Sequence, residues 1–344
     1  LQDTFETMVV CTRSDGAWIG DVRRLGHVKV FGLRGGWDPR LKSRLKSTFR
    51  SYTPSVVHSF MFGFDHAVNI AAHEAGVSVV VSSRRQQATW KKPRHIRLQQ
   101  KANLMVDAIV ANCRAVAEHA AEQEQHPLEK YRVIHNGIDI DAFQSRLRAE
   151  QIKRRYQIPA EKRVIGIVAN FSPVKDHALF VETARELVGR RDDLHFVLAG
   201  KGPELEKIGA LLVQYGLEEL VTGINTVSEL HDVYRMLDVS VLTSKTEGFP
   251  NVVMESMASG TPVVAARVGG VPELVEHERC GLLVEARDPK GYADSIERFL
   301  DDAEFAEGCV TAASEHVREH LSLEAMVGSY RDLYLDLLQS KVKE

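Results

Sequence analysis

From Arg163 onward, short apolar runs alternate with stretches of helical amphipathic spacing. GIVAN, HFVLAG, LVTGI, VSVLTS and PVVAA are nearly uninterrupted in their apolar residues, the pattern of strands buried on both faces of a parallel sheet. The first half repeats the rhythm more loosely, with candidate strands at residues 7–11, 28–31, 56–59, 77–82, 108–111 and 131–134. Strands alternating with helices predict doubly wound α/β domains. The turn at His135-Asn136-Gly137 and the charged helix after it lead to Ile158-Pro159, where we place the linker. The expected organisation is a first domain over 1–158, a second over 159–325, and an amphipathic helix over 326–344.

One stretch, TEGFPNVVMESMASGTPVVAARVGG from Thr246 to Gly270, concentrates the candidate chemistry. LDVSVLTS reads as a buried strand. The chain then turns through Glu247-Gly248-Phe249-Pro250, and Pro250 or Asn251 opens a helix. That helix ends at Gly260, a C′ residue, and Pro262 begins the next strand. A strand, a glycine turn and a helix N-terminus make an anion site, because unpaired N–H groups and the helix dipole point outward together. Glu247, in the turn, is placed to face a ligand's hydroxyl groups. Glu255, about one turn past Asn251, is placed to reach a ribose beside the phosphates. Taken alone, the pair also reads as a loop charge and a solvated helix residue.

The context resembles the retaining GT-B glycosyltransferases of family four, the group-one type that uses nucleotide sugars. GIVANFSPVKDHALFVETA, FVLAGKGPEL, LDVSVLTSKTEGFPNVVMESMASGTPVVAARVGGVPELV and CGLLVEARDP stand in the family's order and spacing. The resemblance runs from about Asp21 to the C-terminus and is strongest from Val164 to Val284. It implies two Rossmann-like domains facing across a cleft, with the donor mostly on the second domain and the last helix crossing back to the first. It assigns donor-sugar hydroxyls to Glu247, the nucleotide ribose to Glu255, and sugar and diphosphate contacts to the backbone of Gly248, Phe249, Pro250, Asn251 and Val252. Lys175, in SPVKDH, matches the family's phosphate-neutralising lysine. The family often has an arginine a few residues earlier; here Asn170 stands, which donates a hydrogen bond but brings no charge. The activity implied is transfer of a hexosyl unit to an acceptor hydroxyl with retention, in glycan, lipopolysaccharide or glycolipid assembly. Rival readings are an epimerase or hydrolase of the same fold and an inactive nucleotide-sugar-binding partner. Relatives also begin with a strand, a glycine-rich turn and a helix, whereas Leu1-Gln2-Asp3 enters near the end of that helix, so leading residues are expected to be absent.

In the first domain, VVHSFMFGFDH and VVVSSRRQ end strands on the side where ligands bind in open α/β sheets. His58, Arg84, Arg85 and Asn136 are therefore candidates for the acceptor or phosphate side. Their alternatives are a core histidine, an ion pair at the domain edge and a plain Asn-Gly turn.

Composition sets limits on this picture. Of 344 residues, 26% are charged and 44% apolar, ordinary for a globular protein and enough for two cores. No apolar run approaches 18 residues, so no membrane span is expected. Cys11, Cys113, Cys280 and Cys309 are scattered, which disfavours disulfides and zinc and suits a reducing cytoplasm. The net charge of −3 hides an asymmetry: residues 1–150 hold 22 Lys and Arg against 15 Asp and Glu. RLKSRLKSTFR, from Arg40 to Arg50, sets Leu41, Leu45 and Phe49 on one face, fitting either packing on its own domain or contact with an anionic membrane. Together with Arg84, Arg85, Lys91, Lys92, Arg94 and Arg97, it suggests a lipid-linked or phosphorylated acceptor, or peripheral contact with the inner membrane face. Asp139-Ile140-Asp141 has the letters of a metal-binding DxD but follows a turn, not a donor-binding strand. We expect no metal or other cofactor and no nucleic-acid partner.

Overall fold

The computed structural model describes residues 4–13, 19–34, 38–143, 147–225, 230–285 and 287–343; Leu1 to Asp3 lie outside them. The chain forms two compact units, residues 1–135 with 326–344, and residues 136–325.

In the first unit, β1 (Met8–Cys11) and β2 (His27–Val30) form a small parallel sheet. A second parallel sheet follows chain order: β3 (Val56–Ser59), β4 (Val79–Arg84), β5 (Ala108–Ala111) and β6 (Tyr131–Val133). β4 starts later than its apolar run suggests. Gly76, at φ +75°, and the bond from Val77 N to Ala72 O close the preceding helix, Phe62–Ala75, and only then does the chain extend. Alternation along the sheet separates two cores. Val57 and Val80 pack with Leu41, Leu45 and Phe49, while Val79, Val81 and Val110 pack with Tyr330, Leu333 and Leu337 of the C-terminal helix, Leu323–Lys343. The apolar stripe of the basic helix Leu41–Tyr52 is thus interior, which corrects the membrane alternative for that helix.

The polar interior of this unit is a charge network centred on Arg84. Its Nε donates to Glu124 at 2.8 Å, Nη1 to Asp65 at 3.0 Å and to the Ser83 carbonyl, and Nη2 to Asn103 and Glu124. Lys91 Nζ adds a second cation at 2.8 Å from Glu124. All five guanidinium donors are taken and the side chain is 5% exposed. Arg84 is therefore a structural hub, and the acceptor-side expectation for it is corrected.

In the second unit six parallel strands form one sheet: β7 (Arg163–Val168), β8 (Leu194–Ala199), β9 (Val221–Ile224), β10 (Val239–Leu242), β11 (Val263–Ala266) and β12 (Leu282–Val284). Their spatial order, β9-β8-β7-β10-β11-β12, reverses direction between β7 and β10. That is the doubly wound dinucleotide-type order, whose ligands bind beyond the strand ends at the reversal. Ile165, Ile167, Val239 and Val241 face one core and Val164, Val168 and Val197 the other, which explains the uninterrupted apolar runs. β12 is three residues long, too short for its apolar run to register by itself. Gly166 lets β7 approach Leu237, whose Cδ2 would lie 2.5 Å from an added Cβ.

The boundary between units falls at His135/Asn136 and not at Ile158. Helix Ala149–Arg155 buries Ile152, and Ile158 follows it, in one cluster with Val164, Val233 and Tyr234. Residues 136–158 therefore pack as part of the second unit.

Removing the hub cation would leave two buried carboxylates underpaired. Arg84→Met is expected to cost about 3–5 kcal/mol, read by equilibrium urea unfolding; a loss below about 1 kcal/mol would show the network to be dispensable.

Candidate functional site

Both loops that carry the predicted site leave the same edge of the second unit's sheet. β10 pairs with β7 in the register Val239↔Ile165 and Ser240↔Gly166. The segment after β7 leads to helix His177–Val188, and the segment after β10 leads to helix Asn251–Ala258. Lys245 N donates to Val174 O at 2.8 Å, and Thr243 Oγ1 bonds Lys175 O at 2.9 Å and Asp176 O at 3.1 Å. This lacing brings Lys175 Nζ to 2.5 Å from Glu247 Oε1, with side-chain exposures of 21% and 10%. A partly buried pair attracts more strongly than a fully solvated one, because less water screens it. Asp176, next in sequence, does not compete for the ammonium. It sits at φ +47°, and its carboxylate is held by Arg287 at 2.6 Å and Lys245 at 3.6 Å.

Helix Asn251–Ala258 begins beside this pair. Pro250 is its extended N-cap, and no side chain caps the first turn, so the dipole's positive end and unpaired N–H groups face outward. At the other end Thr261 N bonds Ser256 O and Gly260 N bonds Met257 O, with Gly260 at φ +72°, a Schellman stop. Asn136 Nδ2 donates to Asn251 Oδ1 at 2.7 Å and to Phe249 O at 3.3 Å. It braces the glycine turn beside the N-terminus of helix Asn251–Ala258. Glu255, half-buried one turn on, accepts from Tyr234 Oη at 2.9 Å. Burial raises the Glu255 carboxyl above its ordinary range, and the Tyr234 hydrogen bond opposes that rise.

Glycines outside the predicted site hold these loops. Gly269 is at φ +53°, and a Cβ there would overlap the Glu247 carbonyl oxygen; Gly270 N donates to Gly248 O at 3.0 Å. Gly200 and Gly202 lie against the backbone of Ala169 and Phe171, which flanks exposed Asn170. Sequence reasoning missed Tyr234, Gly269 and the Asp176–Arg287 pair. The Gly269-Gly270 pair that ends PVVAARVGG is a usable signal for the second; nothing local marks the others.

The second unit thus gathers Asn136, Asn170, Lys175, Glu247, Gly248 to Val252 and Glu255 at the loops beyond β7 and β10. His58, Arg84 and Arg85 belong to the first unit. His58 is a half-buried histidine, bonded to Tyr334 Oη at 2.7 Å and Ser83 Oγ at 2.8 Å. Burial, reinforced by Arg85, lowers it to about 3, so it stays neutral near pH 7. Arg85 is exposed at the end of β4, with Nη1 at 3.5 Å from Tyr330 Oη.

Comparison with known families agrees with this geometry. Residues 148–316 match the model of glycosyl transferases group 1, and residues 1–142 that of glycosyltransferase family 4. The chain belongs to the group 1 glycosyltransferases, with the GT-B fold. N-acetyl-alpha-D-glucosaminyl L-malate synthase of Bacillus anthracis is 30% identical over 64% of this chain and 58% of its own length. D-inositol 3-phosphate glycosyltransferase of Corynebacterium jeikeium is 30% identical over 67% and 59%. The group 1 chain therefore spans less than two thirds of these curated relatives. Anabaena HepE in complex with UDP superposes with a TM-score of 0.87 at 20% identity, over 96% of this chain and 92% of that one.

The bracing role of Gly269 gives a contrast of sign. Gly269→Ala should destabilise the group 1 chain by about 1–3 kcal/mol through backbone strain beneath Glu247. Gly209→Ala, inside helix Leu205–Tyr215 with nothing within 4 Å, should stabilise it by about 0.5–1 kcal/mol. Thermal and urea unfolding of the two variants would check both.

Proposed function

We propose that this protein moves a hexosyl unit from a nucleotide sugar to an acceptor hydroxyl with retention of configuration. The observation that carries the reading is the Lys175–Glu247 pair beside an uncapped helix N-terminus at the strand-order reversal. Breaking the bond between sugar and diphosphate deposits negative charge on the leaving phosphate. Lys175 and the helix N-terminus stand where they offset it, while Glu247 holds the sugar's hydroxyls and Glu255 the ribose. An ammonium has three donors, so Lys175 can keep Glu247 as one partner and still reach phosphate. The departing phosphate takes the acceptor's proton, and no side chain need act as nucleophile. Charge stabilisation by Lys175 makes a divalent ion unnecessary in this scheme.

The relatives' names mention L-malate and inositol 3-phosphate, both compounds with acidic groups, and the basic excess of residues 1–150 suits an acceptor of that kind. Lys175→Ala should lower kcat about 100-fold, equivalent to roughly 3 kcal/mol, with a much smaller change in donor KM, and wild-type turnover should persist in EDTA. The assay supplies a panel of UDP- and GDP-hexoses with anionic and neutral acceptors. Product that forms without acceptor would favour the hydrolase reading, and tight donor binding with no product the inactive binder. A kcat within about twofold of wild type would reduce Lys175 to a surface charge.

A second feature favours peripheral contact with an anionic membrane. No helix among the described residues is long and apolar enough to cross one. In the first unit, however, Phe60, Met61 and Trp90 are 52%, 63% and 52% exposed. Phe62 meets Trp90 edge-on at 5.4 Å, His95 lies 6.0 Å from Trp90, and Arg94 Nε is 3.3 Å from His95. Lys92 and Arg97 are exposed nearby in sequence. Exposed aromatic groups beside cations suit the headgroup boundary of an anionic bilayer. In sedimentation with liposomes, binding should require anionic lipid, weaken with salt, and fall on Trp90→Ala with Met61→Ala; equal indifference to anionic and neutral liposomes would leave the patch as ordinary surface.

A further inference from the structure

We infer that Tyr234 is a positioning residue for the nucleotide's ribose, acting through Glu255. The inference rests on the reading that Glu255 takes the ribose hydroxyls. Tyr234 stands on the short helix Leu230–Met236 and is fully buried among Ile152, Val164, Val197 and Val233. Phe143 lies 6.3 Å from its ring, and its backbone carbonyl accepts from Thr261 Oγ1 at 2.9 Å. The ring is therefore enclosed on all sides by packed side chains. Its hydroxyl is its one polar atom, and that hydroxyl donates to Glu255 Oε2 at 2.9 Å. Among the described residues Tyr234 is the hydrogen-bond partner of this carboxylate, which leaves Oε1 for a ligand.

Two consequences follow for a ribose. A carboxylate anchored through one oxygen presents the other in one orientation, so less rotamer freedom is lost when a diol binds. Equally, a diol donates two O–H groups and needs an ionised acceptor. Burial favours the protonated form of Glu255, and donation from Tyr234 favours the charged form. Tyr234 itself remains protonated, since burial and then the neighbouring Glu255 hold its phenol well above the ordinary tyrosine value. It is thus a donor at every pH of interest. Tyr234 and Glu255 divide the work: an enclosed interior group sets the charge and the aim of a site group.

Calorimetry of wild type, Tyr234→Phe and Glu255→Gln with UDP and GDP, each beside its 2′,3′-dideoxy analogue, tests this between pH 5 and 8. Tyr234→Phe should weaken the bound natural nucleotide about tenfold and move the acid-side loss of affinity to higher pH. It should leave the dideoxy analogue bound as in wild type. Glu255→Gln should weaken the natural nucleotide and spare the analogue as well. If Glu255→Gln binds the natural nucleotide like wild type, the ribose reading fails and takes the inference with it. If Glu255→Gln weakens it and Tyr234→Phe does not, the inference alone is overturned. Equal weakening of both nucleotides by Tyr234→Phe would reduce the hydroxyl to a packing role and also overturn it.

Discussion

The pairing of β7 with β10 is the constraint on which the site depends. These strands are 70 or more residues apart in the chain, yet Ile165 faces Val239 and Gly166 faces Ser240 across the sheet. Because both strands run the same way, the segments that follow them emerge at one edge, and the reversal of strand order keeps any helix from filling the space between. Lys175 and Glu247 meet for that reason. The register holds at close quarters because Gly166 has no side chain to push Leu237 away. Packing beneath the sheet thus decides where two charges stand above it.

Three backbone braces convert that placement into a defined geometry. The chain after β7 is tied to the chain after β10 by Lys245 and Thr243, the glycine turn is held by Asn136, and the Glu247 peptide rests on Gly269. Each brace contacts backbone, so Lys175 and Glu247 keep their charged ends for one another or for a ligand, while Glu255 gives one carboxylate oxygen to Tyr234. A site arranged in this way is built before a ligand arrives, which lowers the ordering cost on binding.

Much of this was legible in sequence, and the reasons differ by residue. The strands of the second unit registered because burial on both faces leaves an unbroken apolar run, and Gly260 registered because a helix stop of this kind needs a left-handed residue. Glu247, Glu255 and Lys175 stood out through their spacing within motifs that the family shares. Arg84 could not be sorted from Arg85 in the same way: adjacent residues in a strand point to opposite faces, and nothing local says which one enters the interior. The partners that bury Arg84, at Asp65, Asn103 and Glu124, lie on three separate helices. The unit boundary was misplaced for a related reason. Pro159 is a strong local punctuation mark, but the contacts that claim Ile152 and Ile158 for the second unit are long-range ones to Val233 and Tyr234.

Saturation separates the two charge clusters of this chain. Around Arg84 every guanidinium donor has an acceptor, and Lys91 and Arg84 together balance Asp65 and Glu124. A satisfied buried network has nothing left to offer a ligand, and removing one member exposes the cost of the rest. Lys175 and Glu247 form the opposite case. One bond joins a three-donor ammonium to a carboxylate that has two oxygens, in a site reached by solvent and flanked by an uncapped helix start. The charges cancel in the free protein, which limits the cost of holding them half-buried, while their unused valences and the helix dipole remain. In the proposed function, those are the valences that a sugar's hydroxyls and a diphosphate's oxygens would fill. Burial alone would have ranked Arg84 as the more perturbed and more interesting cation; counting unused donors and acceptors points to Lys175.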